Sequence, residues 1–380
     1  MNYKFLYIDD VLFQNAEGTI EGLISEDFKI EFTNPISNWN EFLRFLTDKI
    51  PQLDGLIIDL RLYEEKNVAG EISNYRGNTV AQEIRTLVKE GSIKDLPIIL
   101  LSAEKNIELS FDFTSTDLFD IVVSKESLRD QMFSVLNIRL KSLADGYRIL
   151  NSLSSSTIVS DLILEKILGL EKIDSKEVDM RFVSEIKRLS SLSPHNLSNF
   201  IMGNFITKPG ILISEDLLAA RFGVDRVRSK EWPRFLKIIG SCEYKGIYSS
   251  GWPSWWMFKV LKWWHENFES KNIQLLSADE RVSLINQKFN LELIPAEVID
   301  KATSKKFWTI CKGLEKPLDP IDGLVISGQD SLFPWQEKQY VSFYEALNRA
   351  NVNKWKGISQ SETNKFEKVK QIFTRVRVRN

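Results

Sequence analysis

Five polar residues with complementary chemistry follow short apolar runs in the first third of the chain. Asp9 and Asp10 follow KFLYI, Asp59 follows GLII, Ser102 follows PIILL, and Lys125 comes just after DIVV. A carboxylate at the end of a buried apolar run is costly unless it lies at an open edge and binds something there. The pattern therefore directs attention to the edge at which these runs end.

These residue types suit the binding of a divalent cation and a phosphoryl group. Three carboxylates brought together raise one another's pKa values unless a cation neutralises them. Such oxygen ligands suit Mg²⁺, which keeps several waters and often bridges carboxylates to a phosphoryl oxygen. Lys125 would supply a point charge for a second phosphoryl oxygen, and the Ser102 hydroxyl could bond a third. Asp59 can act as a carboxylate nucleophile on phosphorus.

Alternating strands and helices are predicted to hold this edge together. The predicted strands are Lys4–Ile8, Lys29–Thr33, Gly55–Ile58, Pro97–Leu101 and Asp120–Val123, with helices over Asn38–Ile50 and Asn78–Lys89. Continuous apolar strands that alternate with helices are typical of a parallel sheet covered on both faces. The predicted fold class is therefore an α/β doubly wound five-stranded parallel sheet. Ligands bind such sheets outside the carboxyl ends of the strands, so all five polar groups should share one crevice.

The ordered segments YIDD, IIDLRL, ILLSAE and VVSKE resemble the receiver domain of two-component response regulators over about residues 1–140. The resemblance implies a flavodoxin-like sheet of order 2-1-3-4-5 and a phosphorelay in which Asp59 accepts the phosphoryl group from a sensor histidine kinase. It also implies that Asp9, Asp10 and Asp59 hold Mg²⁺, that Ser102 is the switch hydroxyl, and that Lys125 pairs with the phosphoryl group. The chain departs from the family pattern at Val122, where an aromatic residue is usual, and at Glu126, where proline is usual.

Charge and tryptophan are distributed unevenly along the 380 residues. Residues 1–145 hold 15 Lys+Arg against 25 Asp+Glu, a net charge of −10, whereas residues 146–380 hold 35 against 27, a net charge of +8. Nine of the ten tryptophans lie in the second part. Such different compositions indicate two domains with different roles. The predicted organisation is a receiver domain at 1–145, a helical connector at 146–175 and a mainly helical output or interaction domain of unknown type at 176–380.

The composition also predicts the compartment. Two cysteines, Cys242 and Cys311, are too few for the disulfide framework of a small secreted domain. No uncharged run is long enough to cross a bilayer, and no basic opening precedes a long apolar segment. A cytoplasmic protein without a membrane partner is expected.

The second part is predicted to be mainly helical. The predicted helices are Leu128–Leu150, Ile158–Leu170, Val178–Leu192, Glu215–Phe222, Pro253–Phe268, Ala278–Lys288 and Tyr340–Asn351. The terminal IFTRVRVRN alternates with period 2, which predicts an edge strand with its arginines on one face.

Three segments of this part could bind nucleic acid, and each has a structural interpretation that we favour. The aromatic residues of Pro253–Phe268 could stack bases beside lysines, but aromatic stripes at helical spacing usually pack in a core. Ser214–Leu236 resembles the start of a helix-turn-helix, yet Pro233 interrupts the expected recognition helix. The basic tail Lys354–Arg379 could contact phosphates, lie in solvent or dock on the acidic first domain.

The leading functional hypothesis is a phosphorylation-switched response regulator whose C-terminal domain acts by binding a protein partner or a second copy of the chain. Two alternatives stay open. One is a DNA-binding transcriptional regulator that uses Ser214–Leu236 and the basic tail. The other is a phosphorylation-regulated enzyme with an unrecognised active site, in which His195 or His265 would pair with Cys242 or Cys311. No metal-binding spacing of histidines and cysteines is present.

Overall fold

The computed structural model describes residues 2–66, 70–103, 107, 116–154, 160–170, 177–269 and 271–377. Parts of three predicted segments lie outside the described residues: Glu104 of ILLSAE, residues 155–159 and 171–175 of the connector predicted at 146–175, and Val378–Asn380 of the tail. The chain divides into two compact units. The first comprises residues 1–202 and 245–252, and the second comprises residues 203–244 and 253–380.

The first unit is built on a five-stranded parallel sheet of order β2-β1-β3-β4-β5. Its strands are β1 (Tyr3–Ile8), β2 (Phe28–Thr33), β3 (Gly55–Ile58), β4 (Ile98–Ser102) and β5 (Ile121–Ser124). Its helices are α1 (Phe13–Leu23), α2 (Trp39–Lys49), α3 (Gly77–Lys89), α4 (Gln131–Ser154), α5 (Ser160–Leu168), α6 (Met180–Ser190) and α7 (Pro194–Ile201). The predicted fold class and strand order are confirmed. Helix α1 had no counterpart among the predicted elements.

Side chains on both faces of the central strands are buried, which explains why these strands are continuously apolar. Leu6, Ile8, Leu56 and Ile58 pack on one face with α2 and α3, while the alternate residues of the same strands pack on the other face with α1 and α4. Because successive strand residues point to opposite faces, an unbroken apolar run covers both. Both faces of the sheet are therefore covered, and polar groups can lie only at the ends of its strands.

The second unit contains short strands and helices around its own core. Its strands pair two by two: β6 (Leu212–Ser214) with β7 (Ser254–Trp256), β8 (Thr309–Ile310) with β9 (Pro317–Leu318), and β10 (Gly323–Val325) with β11 (Tyr340–Ser342). Its α-helices are α8 (Glu215–Phe222), α9 (Trp232–Ile238), α10 (Met257–Asn267), α11 (Ala278–Phe289), α12 (Phe343–Asn348), α13 (Val352–Trp355) and α14 (Thr363–Arg377). The helices predicted at Pro253–Phe268 and Tyr340–Asn351 begin later than expected, at Met257 and Phe343, because β7 and β11 occupy their first residues.

The predicted edge strand at the C-terminus is wrong, because the tail through Arg377 is helix α14. Upstream of the alternating segment, Phe366 packs on a core cluster of the unit and Val369 is buried. This spacing of three residues continues a helical face rather than a strand face. The period-2 alternation covers only the last residues of the chain, whereas the helical pattern begins further upstream. The helical pattern therefore determines the conformation of the tail through Arg377.

The predicted domain boundaries near residues 145 and 175 do not coincide with the two units. Helix α4 continues through residue 145, and α6 and α7 belong to the first unit. The segment Lys245–Trp252 also belongs to the first unit, although it lies between two stretches of the second. None of the helices within the described ranges is long and apolar enough to cross a bilayer.

Candidate functional site

The carboxyl ends of four strands bring the five candidate residues to one edge of the sheet. Ile8 pairs with Ile58, and Ser102 pairs with Ser124 at the end of β4 and β5. The backbone amide of Asp59 donates to the carbonyl oxygen of Ile8 at 2.9 Å, which fixes Asp59 beside the end of β1. We call Asp9, Asp10, Asp59, Ser102 and Lys125 the carboxylate rim.

Lys125 joins two strands' carboxylates. Its Nζ lies 2.7 Å from Asp9 Oδ2 and 2.8 Å from Asp59 Oδ1. Burial lowers the pKa of Lys125, but the charges of Asp59 and Asp9 outweigh that effect and leave it above its ordinary value. The lysine is therefore a fixed cation between these carboxylates.

Asp9 is held by groups besides the lysine. The Tyr7 hydroxyl donates to Asp9 Oδ2 at 2.5 Å, and the Val11 amide lies 3.3 Å from Oδ1. Burial, and then the negative charge of Asp9, raise the pKa of Tyr7 well above its ordinary value, so this hydroxyl keeps its proton and donates. Tyr7 was not a candidate from the sequence, where it is one apolar-looking residue of a strand.

Asp10 faces the loop that follows β3. Its Oδ2 accepts hydrogen bonds from the amides of Glu64 and Glu65, at 2.6 and 2.8 Å. Burial raises the pKa of Asp10, these two amides lower it, and the charge of Asp9 raises it again, with a net increase. Two backbone donors thus orient one oxygen of Asp10, but they do not offset the cost of its burial.

Asp59 is 5% exposed, and its pKa is raised to about 6. Burial is the largest cause; Lys125 opposes it, and the charge of Asp9 adds to it. Its Oδ2 accepts from the amide of Arg61 at 2.7 Å. Each oxygen of Asp59 therefore has a donor, yet the ionised form is less favourable here than in water.

Gly77 allows the start of α3 to approach Asp59 closely. Its amide donates to the carbonyl oxygen of Leu60 at 2.9 Å. A Cβ at this position would lie 2.1 Å from the carbonyl oxygen of Asp59. Only glycine fits without moving Asp59, so the residue positions the rim although it carries no side chain.

Ser102 is fully buried at the end of β4, and its hydroxyl has no hydrogen-bond partner among the described residues. Leaving a buried hydroxyl unpaired costs about 1–3 kcal/mol. Buried polar groups are nearly always satisfied in folded proteins, so such an exception points to an unfilled role. The serine side chain is poised for an additional acceptor.

The rim has the composition of a magnesium site, although its carboxylates are not arranged as one. Within the described ranges, no group of three or more Asp, Glu, His or Cys side chains is placed to hold a metal ion. Their oxygens contact other groups instead. Asp9 and Asp59 both pair with Lys125, and Asp10 accepts hydrogen bonds from the amides of Glu64 and Glu65. Three buried carboxylates beside one lysine nevertheless leave an excess of negative charge, which fits a divalent cation. The metal assignment stays a prediction.

The two positions where the sequence departs from the family pattern lie on β5 and just after it. Val122 is 39% exposed on β5, so a small side chain occupies the place of the usual aromatic residue. Glu126 accepts a hydrogen bond from the Ser124 hydroxyl at 2.8 Å.

His195 does not pair with a cysteine but belongs to a buried polar cluster of the first unit. We call Arg85, Asp95, Asp120, Tyr147, His195 and Ser198 the His195 network. His195 Nδ1 lies 2.8 Å from the Tyr147 hydroxyl, and Nε2 lies 2.7 Å from the carbonyl oxygen of Asp117. Burial, and then the charge of Arg85, lower the pKa of His195.

The two carboxylates of the His195 network are saturated with donors. Arg85 contacts Asp95 Oδ1 at 2.7 Å and Asp120 Oδ2 at 3.1 Å. Asp120 also accepts from the Ile98 amide and the hydroxyls of Tyr147 and Ser198. Asp95 precedes β4 and Asp120 precedes β5, so this network lies at the amino ends of the strands, opposite the carboxylate rim.

The second-unit candidates are mostly structural. Trp255, Trp264 and Phe268 are buried in the core of that unit, with Trp263 packed against it, so the core interpretation of the aromatic segment is confirmed. Cys242 and Cys311 are buried thiols, and Cys311 Sγ lies 3.4 Å from the Ser342 hydroxyl. His265 is exposed on α10.

The suspected helix-turn-helix does not form an exposed recognition helix. Gly223 ends α8 in the left-handed conformation, but α9 has only seven residues. Trp232 and Phe235 of α9 are buried, and Ser229 is buried with its hydroxyl accepting from the Ile294 amide at 2.9 Å. A helix that inserts into the major groove needs a long exposed face, which α9 lacks.

Comparisons with known proteins bear on the first unit. No protein-family model matches the chain, and no curated protein matches it. Solved structures that are similar to it include a sensor protein from Polaromonas sp. JS666, with 16% identity, 39% of this chain and 99% of that chain covered, and a TM-score of 0.28. A response regulator receiver domain protein from Clostridium thermocellum shares 16% identity over 39% of this chain and 98% of its own, with a TM-score of 0.29.

The response regulator domain of Thermotoga maritima CheB is similar at 13% identity, with 38% of this chain and 98% of that chain covered and a TM-score of 0.26. The matches to receiver domains cover about the first 40% of the chain, and the C-terminal part is not matched. At these identities and scores the likeness says nothing about activity. The strand order and the contacts of the rim are what describe this site.

Proposed function

We propose that this chain is a response regulator of a two-component system, switched by transfer of a phosphoryl group to Asp59. The observation that carries the proposal is the placement of Lys125 between Asp9 and Asp59 at the carboxyl ends of β1, β3 and β5. A buried carboxylate beside a fixed ammonium group is a suitable phosphoryl acceptor, because the cation can follow the charge as it moves to the phosphoryl oxygens.

In the proposed reaction, one carboxylate oxygen of Asp59 attacks phosphorus of a phosphohistidine on a sensor kinase. The new bond is O–P, the bond that breaks is P–N, and the histidine nitrogen leaves with the electron pair and takes a proton from water. Lys125 contacts Asp59 Oδ1 and is close enough to pair with a phosphoryl oxygen. Such a transfer is accelerated mainly by orientation of the reacting groups and by electrostatic stabilisation of the transition state. The residues that fix the position of Asp59 should therefore have the largest effect on its rate.

Asp9, Asp10 and Asp59 are the residues that would hold Mg²⁺. Bound there, Mg²⁺ would neutralise the excess negative charge and stabilise the charge on the transferred phosphoryl oxygens. The net negative charge of the buried carboxylates supports this assignment; the pKa values of Asp10 and Asp59 are raised first by burial and then, in part, by the charge of Asp9. For Asp10 to join Asp9 and Asp59, its carboxylate would turn away from the amides of Glu64 and Glu65, which hold its Oδ2 in this structure.

Phosphorylation would change the hydrogen bonding of Ser102. The phosphoryl group carries roughly two negative charges and three strong acceptor oxygens. The Ser102 hydroxyl, buried and without a partner among the described residues, would donate to one of them. A movement of Ser102 would displace the end of β4 and bias the neighbouring face of β5 and α4, which is a local charge event acting on a two-state element.

That neighbouring face has features of a docking surface. Val122, Met132, Val135 and Ile138 are exposed apolar side chains of β5 and α4. We infer that output proceeds through protein binding, by contact of this face with a second copy or of the second unit with a protein partner. Since the short, half-buried α9 makes a poor DNA reader, protein binding is favoured over transcriptional DNA binding.

The test is incubation of the full-length chain with acetyl phosphate and Mg²⁺, followed by intact mass measurement. The wild type and the control Asp48→Asn, which changes an exposed carboxylate on α2, should both gain the mass of one phosphoryl group. Asp59→Asn should gain none. Equal labelling of Asp59→Asn, or no labelling of the wild type with either acetyl phosphate or a phosphorylated kinase, would overturn the proposal.

A further inference from the structure

One short segment of the chain packs on the first unit, although the residues on both sides of it belong to the second unit. We call this segment, Lys245–Trp252, the strap. Its two ends are joined within the second unit, where the Tyr244 amide donates to the carbonyl oxygen of Ser254 at 2.8 Å. Ser254 is also the first residue of β7. The strap is therefore a part of the first unit that is connected directly, along the chain, to an element of the second.

The helices under the strap leave room for it. Gly146 lies in the interior of α4, where glycine is less favourable than alanine. A Cβ at this position would lie 2.1 Å from Cε1 of Tyr248, so the strap can pack here only against glycine. The Ile247 amide donates to the carbonyl oxygen of Ile167 in α5 at 2.9 Å. The fit on α4 and the backbone bond to α5 fix the middle of the strap.

The end of the strap is held by polar contacts to α4. The Ser142 hydroxyl accepts hydrogen bonds from the Ser250 hydroxyl at 2.9 Å and from the Gly251 amide at 3.1 Å. The guanidinium carbon of Arg139 lies 5.3 Å from the centre of the Trp252 ring, within the range of a cation–π contact. Positions 139, 142 and 146 are three or four residues apart in the helix, so one face of α4 is the seat of the strap.

Tyr248 is the buried anchor of the strap. It is 2% exposed, and its backbone has a φ of 67°. This left-handed conformation is unfavourable for a residue with a large side chain, and it persists only where surrounding contacts fix the residue. At the far end of the ring, the Tyr248 hydroxyl donates to the hydroxyl oxygen of Ser198 at 2.8 Å. Strain and burial at the same residue point to a conformation that has a use beyond closing the loop.

Hydrogen bonds continue from Tyr248 to the amino ends of two strands. Ser198 donates to Asp120 Oδ1 at 3.0 Å, and Asp120 Oδ2 accepts from the Ile98 amide at 2.9 Å. The Asp120 amide in turn donates to the carbonyl oxygen of Ile98 at 2.8 Å. Ile98 is the first residue of β4, and Asp120 immediately precedes β5. These contacts therefore join the strap to the two strands whose opposite ends lead to the carboxylate rim.

From these contacts we propose that the strap couples the second unit to β4 and β5, through Tyr248, Ser198 and Asp120. Coupling of this kind needs a contiguous network with two arrangements. In the arrangement of this structure, Tyr248 is seated on α4 and bonded to Ser198. In the other arrangement, a displacement of the two strands breaks that bond, and the strap and β7 change position together. The trigger rests on the proposed function, in which phosphorylation at the rim displaces β4, whereas the coupling itself does not.

The first experiment needs no phosphoryl donor. Hydrogen exchange of the full-length chain is followed by mass spectrometry for the wild type, Tyr248→Phe and the matched control Tyr3→Phe, which loses a bond of 2.8 Å to Asp145 of α4. Relative to β3 amides, Tyr248→Phe should raise the exchange of β7 and of the starts of β4 and β5 by about fivefold, the factor for loss of one hydrogen bond. Tyr3→Phe should leave these ratios unchanged. Ser198→Ala removes the same link from the other side and should match Tyr248→Phe.

The second experiment repeats these measurements with acetyl phosphate and Mg²⁺. Wild type and Tyr3→Phe that gain one phosphoryl mass should change their β7 exchange by about fivefold or more, the lower end of typical coupling. Tyr248→Phe should gain the same mass without a change in β7.

The coupling is disproved if Tyr248→Phe and Tyr3→Phe give the same exchange ratios in the first experiment. It is also disproved if phosphorylated Tyr248→Phe keeps the wild-type response, if phosphorylated Tyr3→Phe loses it, or if phosphorylated wild type shows none. If no chain gains the phosphoryl mass, the proposed function fails instead, and the first experiment alone decides the coupling.

Discussion

Two buried polar clusters lie at opposite ends of the same sheet, and they differ in how well their charges are satisfied. In the His195 network, Arg85 contacts both carboxylates, and Asp120 accepts from four donors. In the carboxylate rim, three carboxylates share one lysine, the pKa of Asp59 is raised to about 6, and Ser102 has no partner among the described residues.

The difference shows that burial of charge does not by itself mark a functional site. A satisfied cluster contributes to stability, because removing any member leaves a charge or donor unpaired. An unsatisfied cluster lowers the stability of the protein. Such a cluster is retained where its groups have another use. The same substitution should therefore have opposite effects at the two ends of the sheet.

The largest expected effect follows from removal of the shared cation of the His195 network. Arg85→Met leaves Asp95 and Asp120 buried without their ion pair and should lower the free energy of unfolding by about 3–5 kcal/mol. Urea unfolding followed by circular dichroism measures the change. Arg85→Lys should recover only part of the loss, because an ammonium group cannot reproduce the guanidinium fork. A loss below about 1 kcal/mol for Arg85→Met would remove the distinction between the clusters.

At the rim, neutralising a carboxylate should stabilise the protein. Asp59→Asn keeps an oxygen for the Arg61 amide and leaves Lys125 paired with Asp9, while it removes the cost of a buried charge. Since the folded-state pKa is about 6 against an ordinary 3.8, the gain should be about 2–3 kcal/mol at pH 8 without Mg²⁺. Hydrogen-exchange protection of β1 and β3 amides would measure it. The matched Asp95→Asn should destabilise, and a gain for both would contradict the comparison.

The gain from Asp59→Asn should also depend on pH. The folded protein binds the Asp59 proton more tightly than the unfolded chain does. The stability associated with that proton is therefore fully present below about pH 4 and is lost as pH rises through about 6. At pH 5 the advantage of Asp59→Asn should fall to about half its value at pH 8. An advantage that stays constant between these two pH values would show that its origin is not the charge of Asp59.

The smallest expected difference between the two clusters is in the effect of a serine-to-alanine substitution on the free energy of unfolding. Ser198 donates to Asp120 at 3.0 Å and accepts from the Tyr248 hydroxyl at 2.8 Å, so Ser198→Ala should cost about 1–2 kcal/mol in unfolding free energy. Ser102→Ala removes a hydroxyl that lacks a partner among the described residues and should cost less than about 0.5 kcal/mol. Thermal unfolding of both variants measures the difference. A larger cost at Ser102 would mean that its hydroxyl is already engaged.

The sequence predicts the sheet and the rim well because both depend on local patterns. Unbroken apolar runs such as GLII mark strands buried on both faces, and the end of a parallel strand fixes where the next polar residue lies. Asp59 and Lys125 can therefore be placed together from their positions alone. The family pattern added the expected roles, but the orientation of Asp10 toward the Glu64 and Glu65 amides depends on a loop that no pattern describes.

The remainder could not be predicted because it depends on contacts between distant parts of the chain. His195 reaches Asp95, 100 residues away, through its amide. In the second unit, Arg221 pairs with Glu337, 116 residues away along the chain. Alternation in the last residues predicts a strand, whereas the helical face that includes Phe366 and Val369 begins earlier in the chain. Periodicity describes one element at a time and carries no information about such pairings.

The return of Lys245–Trp252 to the first unit has a consequence for how this protein can be divided. The backbone passes from one unit to the other three times, after residues 202, 244 and 252. No single cut therefore yields both halves intact, and a chain exchange at one crossover point could not replace the second unit without also breaking the first.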